Sequence, residues 1–335
     1  VTFALPILAL AGFLSYPDDL ILTVNAFGYT LDPIRIDGLS WIFTLIFIIA
    51  AFLAAVYSLH SSNKTEQSTI AIYAGSAIGA VLAGDLLTLF IFWEISALSS
   101  TVIVWAGGGN QSKQAGMRYL LIHITSGLLL MLGSILHYQQ TESILFNAMT
   151  IDTLSGLLIF LAFGIKCAFP LMHNWLQDAY PQASPVGTVA LSAFTTKLAV
   201  YCLARAYAGT ESLIWIGATM TVFPIFFAVL ENDLRKVLSY SLNNQLGFMV
   251  VGVGIGTELA LNGTAAHAFS HILYKALLFM SMGAVLHRVG TVKASELGGL
   301  YKSMPWTTVF CIIGAMSISA FPLFSGFISK GIILY

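Results

Sequence analysis

Charge is what this 335-residue sequence has least of: Asp, Glu, Lys and Arg make up 9% of it, hydrophobic residues make up 58%, and mean hydropathy is +0.87. An average soluble domain carries roughly 25% charged residues, so water is not the main solvent of this chain. The net charge of −1 removes the electrostatic ground for a nucleic acid or other polyanion as partner. Cysteine is scarce as well. Cys167, Cys202 and Cys311 form no Cys-x-x-Cys pair, which argues against a disulfide framework, a zinc knuckle or an iron–sulfur ligand set. Nucleotide and redox motifs are missing: the glycines Gly252, Gly254 and Gly256 lie inside an apolar stretch, where they read as close helix packing. No cofactor and no resident metal are expected.

What is there is long apolar sequence. Gly38–Leu59, Leu86–Ala106 and Leu213–Leu230 each reach the roughly 20 residues that cross a hydrocarbon core. Strand-like alternation is absent, so the expected fold is all-α, a polytopic transmembrane helix bundle. Periodicity places about eleven spans, near residues 1–16, 39–60, 69–84, 86–106, 116–137, 153–180, 186–208, 212–230, 236–255, 259–287 and 304–335. Alternate loops then carry Lys64, Lys113, Arg118, Arg235, Lys236, Arg288, Lys293 and Lys302, whereas the opposite loops hold Arg35 among Asp18, Asp19, Asp32, Asp37, Glu142, Asp152, Glu211 and Glu258. The positive-inside rule makes the basic loops, and Val1, cytoplasmic. The loop near Asp178 departs from this sorting, having no Lys or Arg of its own. A start at Val1 and an end at Tyr335, inside an apolar run, lead us to expect a fragment of a longer protein.

Five basic residues, Lys166, Lys197, Arg205, Lys275 and Lys330, fall within the spans. Each costs on the order of 2.5–3.5 kcal/mol at a helix centre, and such residues usually face protein or water and carry function. Arg205 lies near a helix end, where it can snorkel to the interface. Lys166 precedes Ala168-Phe169-Pro170-Leu171, and Lys330 follows Ala320-Phe321-Pro322-Leu323. Each proline removes a helix donor and breaks the span. The two breaks are five spans apart, an odd number, so they run in opposite directions, as an inverted repeat requires. Glu94 is the one carboxylate well inside a span; Asp85 falls at a turn and reads as a helix cap. Glu94 beside a lysine could serve proton transfer or form a static ion pair.

His267, His271 and Lys275 recur every fourth residue on one helix face. Imidazole donates on one nitrogen while accepting on the other, which suits a relay between lysines. A metal clip and hydrogen-bonded packing histidines are the competing readings. A haem- or metal-binding membrane protein is thus the alternative from a different class. His123 and His173 stand outside the pattern.

Leu89–Glu94, Lys166 before Pro170–Tyr180, Leu234–Ser241, His267 through Lys275 to Phe279, and Phe324–Lys330 occur in one order along nearly the whole chain. In this the sequence resembles the antiporter-like membrane subunits shared by Mrp-type Na⁺/H⁺ antiporters and respiratory complex I (NADH:quinone oxidoreductase). The run Ser317–Gly326 looks most like the D subunit of the Mrp type. The resemblance implies about fourteen helices with two inverted five-helix repeats, so that a first helix and at least two final ones would lie outside this chain. It divides a single membrane domain, 1–335, into N-terminal helices at 1–60, a first repeat at 69–208 and a truncated second repeat at 212–335. It implies proton-transfer roles for Glu94 paired with Lys166, for Lys197, for His267 and His271 as a bridge with Lys275, and for Lys330 at the exit. It also implies partner membrane subunits in a hetero-oligomeric assembly, protons and Na⁺ as cargo, and a multi-pass location in the cell inner (plasma) membrane. A proton-pumping complex I subunit or a membrane-bound hydrogenase subunit is the alternative within the same family. Gln177, Tyr180 and Asn243-Asn244 depart from the family's usual proline, histidine and Ile-Ser.

Overall fold

The computed structural model describes residues 4–17, 19–26 and 28–334; Val1, Asp18 and Tyr335, invoked above for orientation, loop charge and chain end, lie outside them. The helices are α1 Ala4–Ser15, α2 Gly38–Tyr57, α3 Lys64–Leu82, α4 Leu86–Trp105, α5 Gly109–Thr141, α6 Leu154–Cys167, α7 Asn174–Ala179, α8 Pro185–Ala206, α9 Ser212–Leu230, α10 Leu234–Ile255, α11 Glu258–Val289, α12 Leu300–Ser303, α13 Pro305–Ile318 and α14 Ser325–Leu334. Each expected span has its helix. The total is higher than eleven because two spans are each divided into a pair and α12 is a short turn. Six of the helices are long and apolar enough to cross a membrane, and the protein is a multi-pass membrane protein.

Helix starts follow capping chemistry. Asp37 forms a capping box with Ser40 at α2, and Asn63, Asp85, Thr153, Ser184, Asp233 and Thr257 accept backbone N–H bonds at α3, α4, α6, α8, α10 and α11. Each supplies an oxygen to a donor that has no partner within the helix. The capping role read for Asp85 holds, with bonds of 2.7 Å from both the N–H and the hydroxyl of Thr88. Gly256 (φ 71°) ends α10 in the left-handed region. Gly254 instead serves close packing, since a Cβ there would stand 2.6 Å from the backbone nitrogen of Ile214.

α8 is the axis of the bundle. It is buried along its whole apolar length and packs against α2, α3, α4, α6, α10 and α11. Phe194 receives Phe47 and Tyr73 edge-on, each at 5.3 Å, and Tyr201 meets Phe43 at 5.4 Å. Helices exposed on their outer sides, such as α9 with Trp215, Phe226, Val229 and Leu230, surround this axis.

Two features depart from the sequence reading. β1 Ile21–Ala26 and β2 Tyr29–Arg35 form an antiparallel hairpin between α1 and α2, adding a strand pair to an otherwise helical fold. It is pinned to the bundle by Gly84 N–H to Asp32 O (2.8 Å) and by Asp32 N–H to Asp85 Oδ2 (3.0 Å). Arg205, near its helix end, reaches a partner rather than solvent alone: its two terminal nitrogens donate to Asp37 at 2.8 Å each and its Nε to Tyr201 Oη at 2.8 Å. The Asp178 loop finds its cation on a neighbouring element, where Arg118 donates twice, at 2.7 and 2.8 Å. That pairing places Asp178 on the face that carries the basic loops.

The inverted repeat is visible in backbone detail. Leu86 N–H donates to Ile144 O (2.8 Å) and Phe146 N–H to Gly84 O (2.8 Å); Leu234 to Val292 (3.1 Å) and Ala294 to Asn232 (2.9 Å) repeat both bonds at one constant shift along the chain. At the breaks, Phe169 N–H reaches Gly164 O and Phe321 N–H reaches Met316 O, both at 3.0 Å. Ala168 and Leu171 have φ of 62° and 69°, and Ala320 and Leu323 have 56° and 76°. Four non-glycine residues in the left-handed region, two at each proline, are the costly local geometry that the Pro170 and Pro322 motifs encode.

Candidate functional site: a buried row of lysines and histidines

Lys166, Lys197, Lys275, His267 and His271 are fully buried, Lys330 is partly buried and Glu94 half-buried. α6 delivers Lys166 in its last turn. Its Nζ donates to Trp93 O (3.1 Å) and Ser96 Oγ (3.4 Å) and sits 4.0 Å from the centre of the Trp93 ring. Lys166 thus lies against the turn of α4 that carries Glu94, without an ion pair to it. The Glu94 carboxylate turns to α5, where Oε1 packs on Gly127 and has no hydrogen-bond partner. Only a residue without Cβ leaves that space.

Lys197, from α8, donates to Ser192 O (2.6 Å) and Thr196 Oγ1 (3.3 Å). α11 presents His267, His271 and Lys275 on one face. The two imidazoles lie 6.1 Å apart with nearly parallel rings, and Lys275 bonds to Ser241 Oγ. Ser329 donates its hydroxyl to Ser325 O (2.9 Å), so it accepts at 2.9 Å from His267 Nδ1–H. This assigns the proton of a neutral His267 to Nδ1 and leaves Nε2 as a free acceptor. Both nitrogens of His271 lack partners.

Lys330 shows what the second break accomplishes. In an unbroken helix Ile318 O would accept from residue 322, but Pro322 has no N–H. Lys330 Nζ takes that carbonyl at 2.8 Å. Its ammonium stands 4.9 Å from the Phe248 ring, beside a cavity lined by Ser241, Asn244, Gln245 and Phe248. Lys197 and Lys330 are within electrostatic reach of both His267 and His271, and Lys166 of Glu94.

Sequence reading missed the hydroxyls and amides that bond to one another on the helices carrying these charges and on their neighbours. Tyr119 Oη donates to Ser100 Oγ (3.0 Å) and lies 3.4 Å from Thr195 Oγ1, which also bonds Tyr73 Oη. Tyr274 Oη donates to Gln245 Oε1 (3.2 Å), and Gln245 Nε2 to Asn244 Oδ1 (2.5 Å). The available signal was the run Ser96-Ala97-Leu98-Ser99-Ser100-Thr101, polar side chains one turn apart in an apolar helix. Two of the three departures singled out earlier behave differently: Tyr180 Oη is tied to Leu191 O (2.8 Å), while Asn244 joins the amide chain.

Among the described residues no three His, Cys, Asp or Glu side chains gather as a metal ligand set. The profile of the family described as "NADH:quinone oxidoreductase/Mrp antiporter, TM" matches residues 83–335. The chain belongs to that family. The probable A/B subunit of a K(+)/H(+) antiporter of Rhizobium meliloti (strain 1021) is 30% identical over 349 aligned positions, covering 97% of this chain and 34% of the relative. The D subunit of the Na(+)/H(+) antiporter of Alkalihalophilus pseudofirmus (strain ATCC BAA-2126 / JCM 17055 / OF4) is 28% identical, with 92% and 68% covered. Hydrogenase-4 component B of Escherichia coli (strain K12) is 27% identical, with 89% and 50% covered. The chain therefore spans a third to a half of the length of two of these family members. In fold it superposes on a chain of the Mrp complex from Dietzia sp. DQ12-45-1b with a TM-score of 0.90 and 24% identity, covering 99% of this chain and 68% of that one.

Proposed function

We propose that this chain is a proton-translocating, antiporter-like component of a multisubunit complex in the cell inner (plasma) membrane, of the Mrp monovalent cation (Na⁺)/H⁺ antiporter type. One observation carries the reading: Lys166, Lys197, Lys275 and Lys330 all donate to neutral oxygens, and none of them joins an ion pair among the described residues. Neutral oxygens accept from an ammonium and from an amine alike, so each lysine can hold or release a proton without dismantling its site. A static ion-pair network would instead place a carboxylate against each one.

The proton would pass from Lys166 to Lys197, through His271, Lys275 and His267, to Lys330, with Glu94 setting when Lys166 is charged. Unpartnered nitrogens on His267 and His271 call for bridging water in such a row. Residues 1–60, 69–208 and 212–335 would be the leading helices and the two repeats. The driving force comes from an ion gradient or from a neighbouring protein of the complex, each charge crossing the membrane being worth about 2.3 kcal/mol per 100 mV. Relatives include A and D subunits of Na(+)/H(+) antiporters alike, which supports the antiporter-like role common to both. The hydrogenase relative and the family's own description favour a second reading, a pumping component of an NADH:quinone oxidoreductase or hydrogenase assembly. Lys166→Ala and Glu94→Gln in the assembled complex should lower proton-coupled transport in inverted vesicles by about tenfold or more. Near-normal transport in both variants overturns the proposal.

A further inference from the structure

We infer that His123 is a proton-loading group for Lys166, an inference that rests on the proton translocation proposed above. His123 is fully buried on α5, and neither ring nitrogen has a hydrogen-bond partner. A packing histidine in an apolar bundle would normally satisfy at least one nitrogen. The imidazole lies between Tyr119 (4.0 Å) and Trp175 (4.6 Å), and Trp175 Nε1 donates to Ile165 O (3.0 Å), the residue before Lys166. One turn along the same face of α5 is Gly127, on which the unpartnered Glu94 Oε1 rests. His123 is thus within electrostatic reach of Lys166 and one turn from the glycine against which Glu94 packs.

A buried imidazole with both ring nitrogens orphaned has the chemistry of a site that takes bridging water. The repeat supplies an independent observation: the shift that superimposes the paired backbone bonds of the two halves maps His123 onto His271. In the transfer, the imidazolium of His123 loses one N–H bond and the neutral amine of Lys166 gains one, with Glu94 remaining a carboxylate that attracts the charge.

The test uses the complete complex in inverted vesicles, with transport normalised to assembled protein. His123→Phe keeps the aromatic packing and removes the nitrogens; His123→Gln keeps polar atoms that do not titrate. Both should assemble and transport about tenfold more slowly than wild type. Full transport by His123→Phe, with Lys166→Ala inactive, overturns the loading role and leaves the function intact. Full transport by Lys166→Ala overturns the function itself. Should His123→Phe fail to assemble, His123→Gln decides by the same outcomes.

Discussion

Adding one methyl group tests where the Glu94 carboxylate resides. Gly127→Ala puts a Cβ into the space occupied by Glu94 Oε1, and 2.6 Å from Cδ. The backbone has no reason to move, because a carboxylate at the end of a flexible side chain can swing away. Taken alone, glycine to alanine inside a helix stabilises by about 1 kcal/mol, so the variant should assemble at least as well as the wild type. Its effect is electrostatic. At an effective dielectric constant of about 20, a change of about 2 Å in a carboxylate–ammonium separation in the range of about 5–7 Å changes the attraction by about 1 kcal/mol, or about fivefold in the equilibrium for charging Lys166. Proton-coupled transport in vesicles should change by a comparable factor while the melting temperature of the detergent-solubilised complex holds or rises. Unchanged transport with raised stability would show that Glu94 does not act from this crevice. A drop in both would point to disturbed packing and equally refute the reasoning.

Two further outcomes follow from the geometry. Pro322→Ala restores the N–H that Ile318 O lacks, so it should displace Lys330 from that carbonyl and lower transport several-fold; wild-type transport would separate Lys330 from the break. Asp37, outside the spans, is raised by burial but lowered more by Arg205, the Ser40 N–H and Arg35, and is held at about 2. A carboxylate depressed in this way contributes stability that is complete above the ordinary carboxyl range and is lost as pH falls through about 2. The shift from 3.8 to about 2 corresponds to on the order of 2 kcal/mol, discounted to about 1 kcal/mol because Asp37 is partly exposed. Asp37→Asn should therefore lower the melting temperature at neutral pH and abolish the extra acid sensitivity between about pH 4 and 2; a variant that melts like wild type would contradict the ion pair.

The spans were legible because burial in lipid leaves one-dimensional traces: apolar length, proline, and loop charge. The breaks were legible because Pro170 and Pro322 forbid a hydrogen bond whatever surrounds them. Side-chain partnership was not. Glu94 and Lys166 carry opposite charges, yet whether the carboxylate faces the lysine or Gly127 depends on the rotation of α4 against α5 and α6. The hairpin escaped notice because its strands are short and are held by distant residues, Gly84 and Asp85. The Tyr119–Ser100–Thr195 cluster joins three helices, and hydroxyls that also satisfy themselves on their own helix, as Ser100 does on Ser96 O (2.6 Å), give no signal of doing so.

The matched breaks leave a pair of severed helix ends within the spans. α6 and α13 both stop short, each exposes the carbonyl-rich, electronegative end of its dipole, and each has a lysine in attendance: Lys166 in the last turn of α6 and Lys330 on the final carbonyl of α13. Because the repeats are inverted, these two ends approach from opposite sides. A proton would therefore begin and finish its sideways journey in much the same electrostatic setting, with little built-in slope between the terminal stations. Directionality would then have to be imposed by whatever loads one terminus and empties the other.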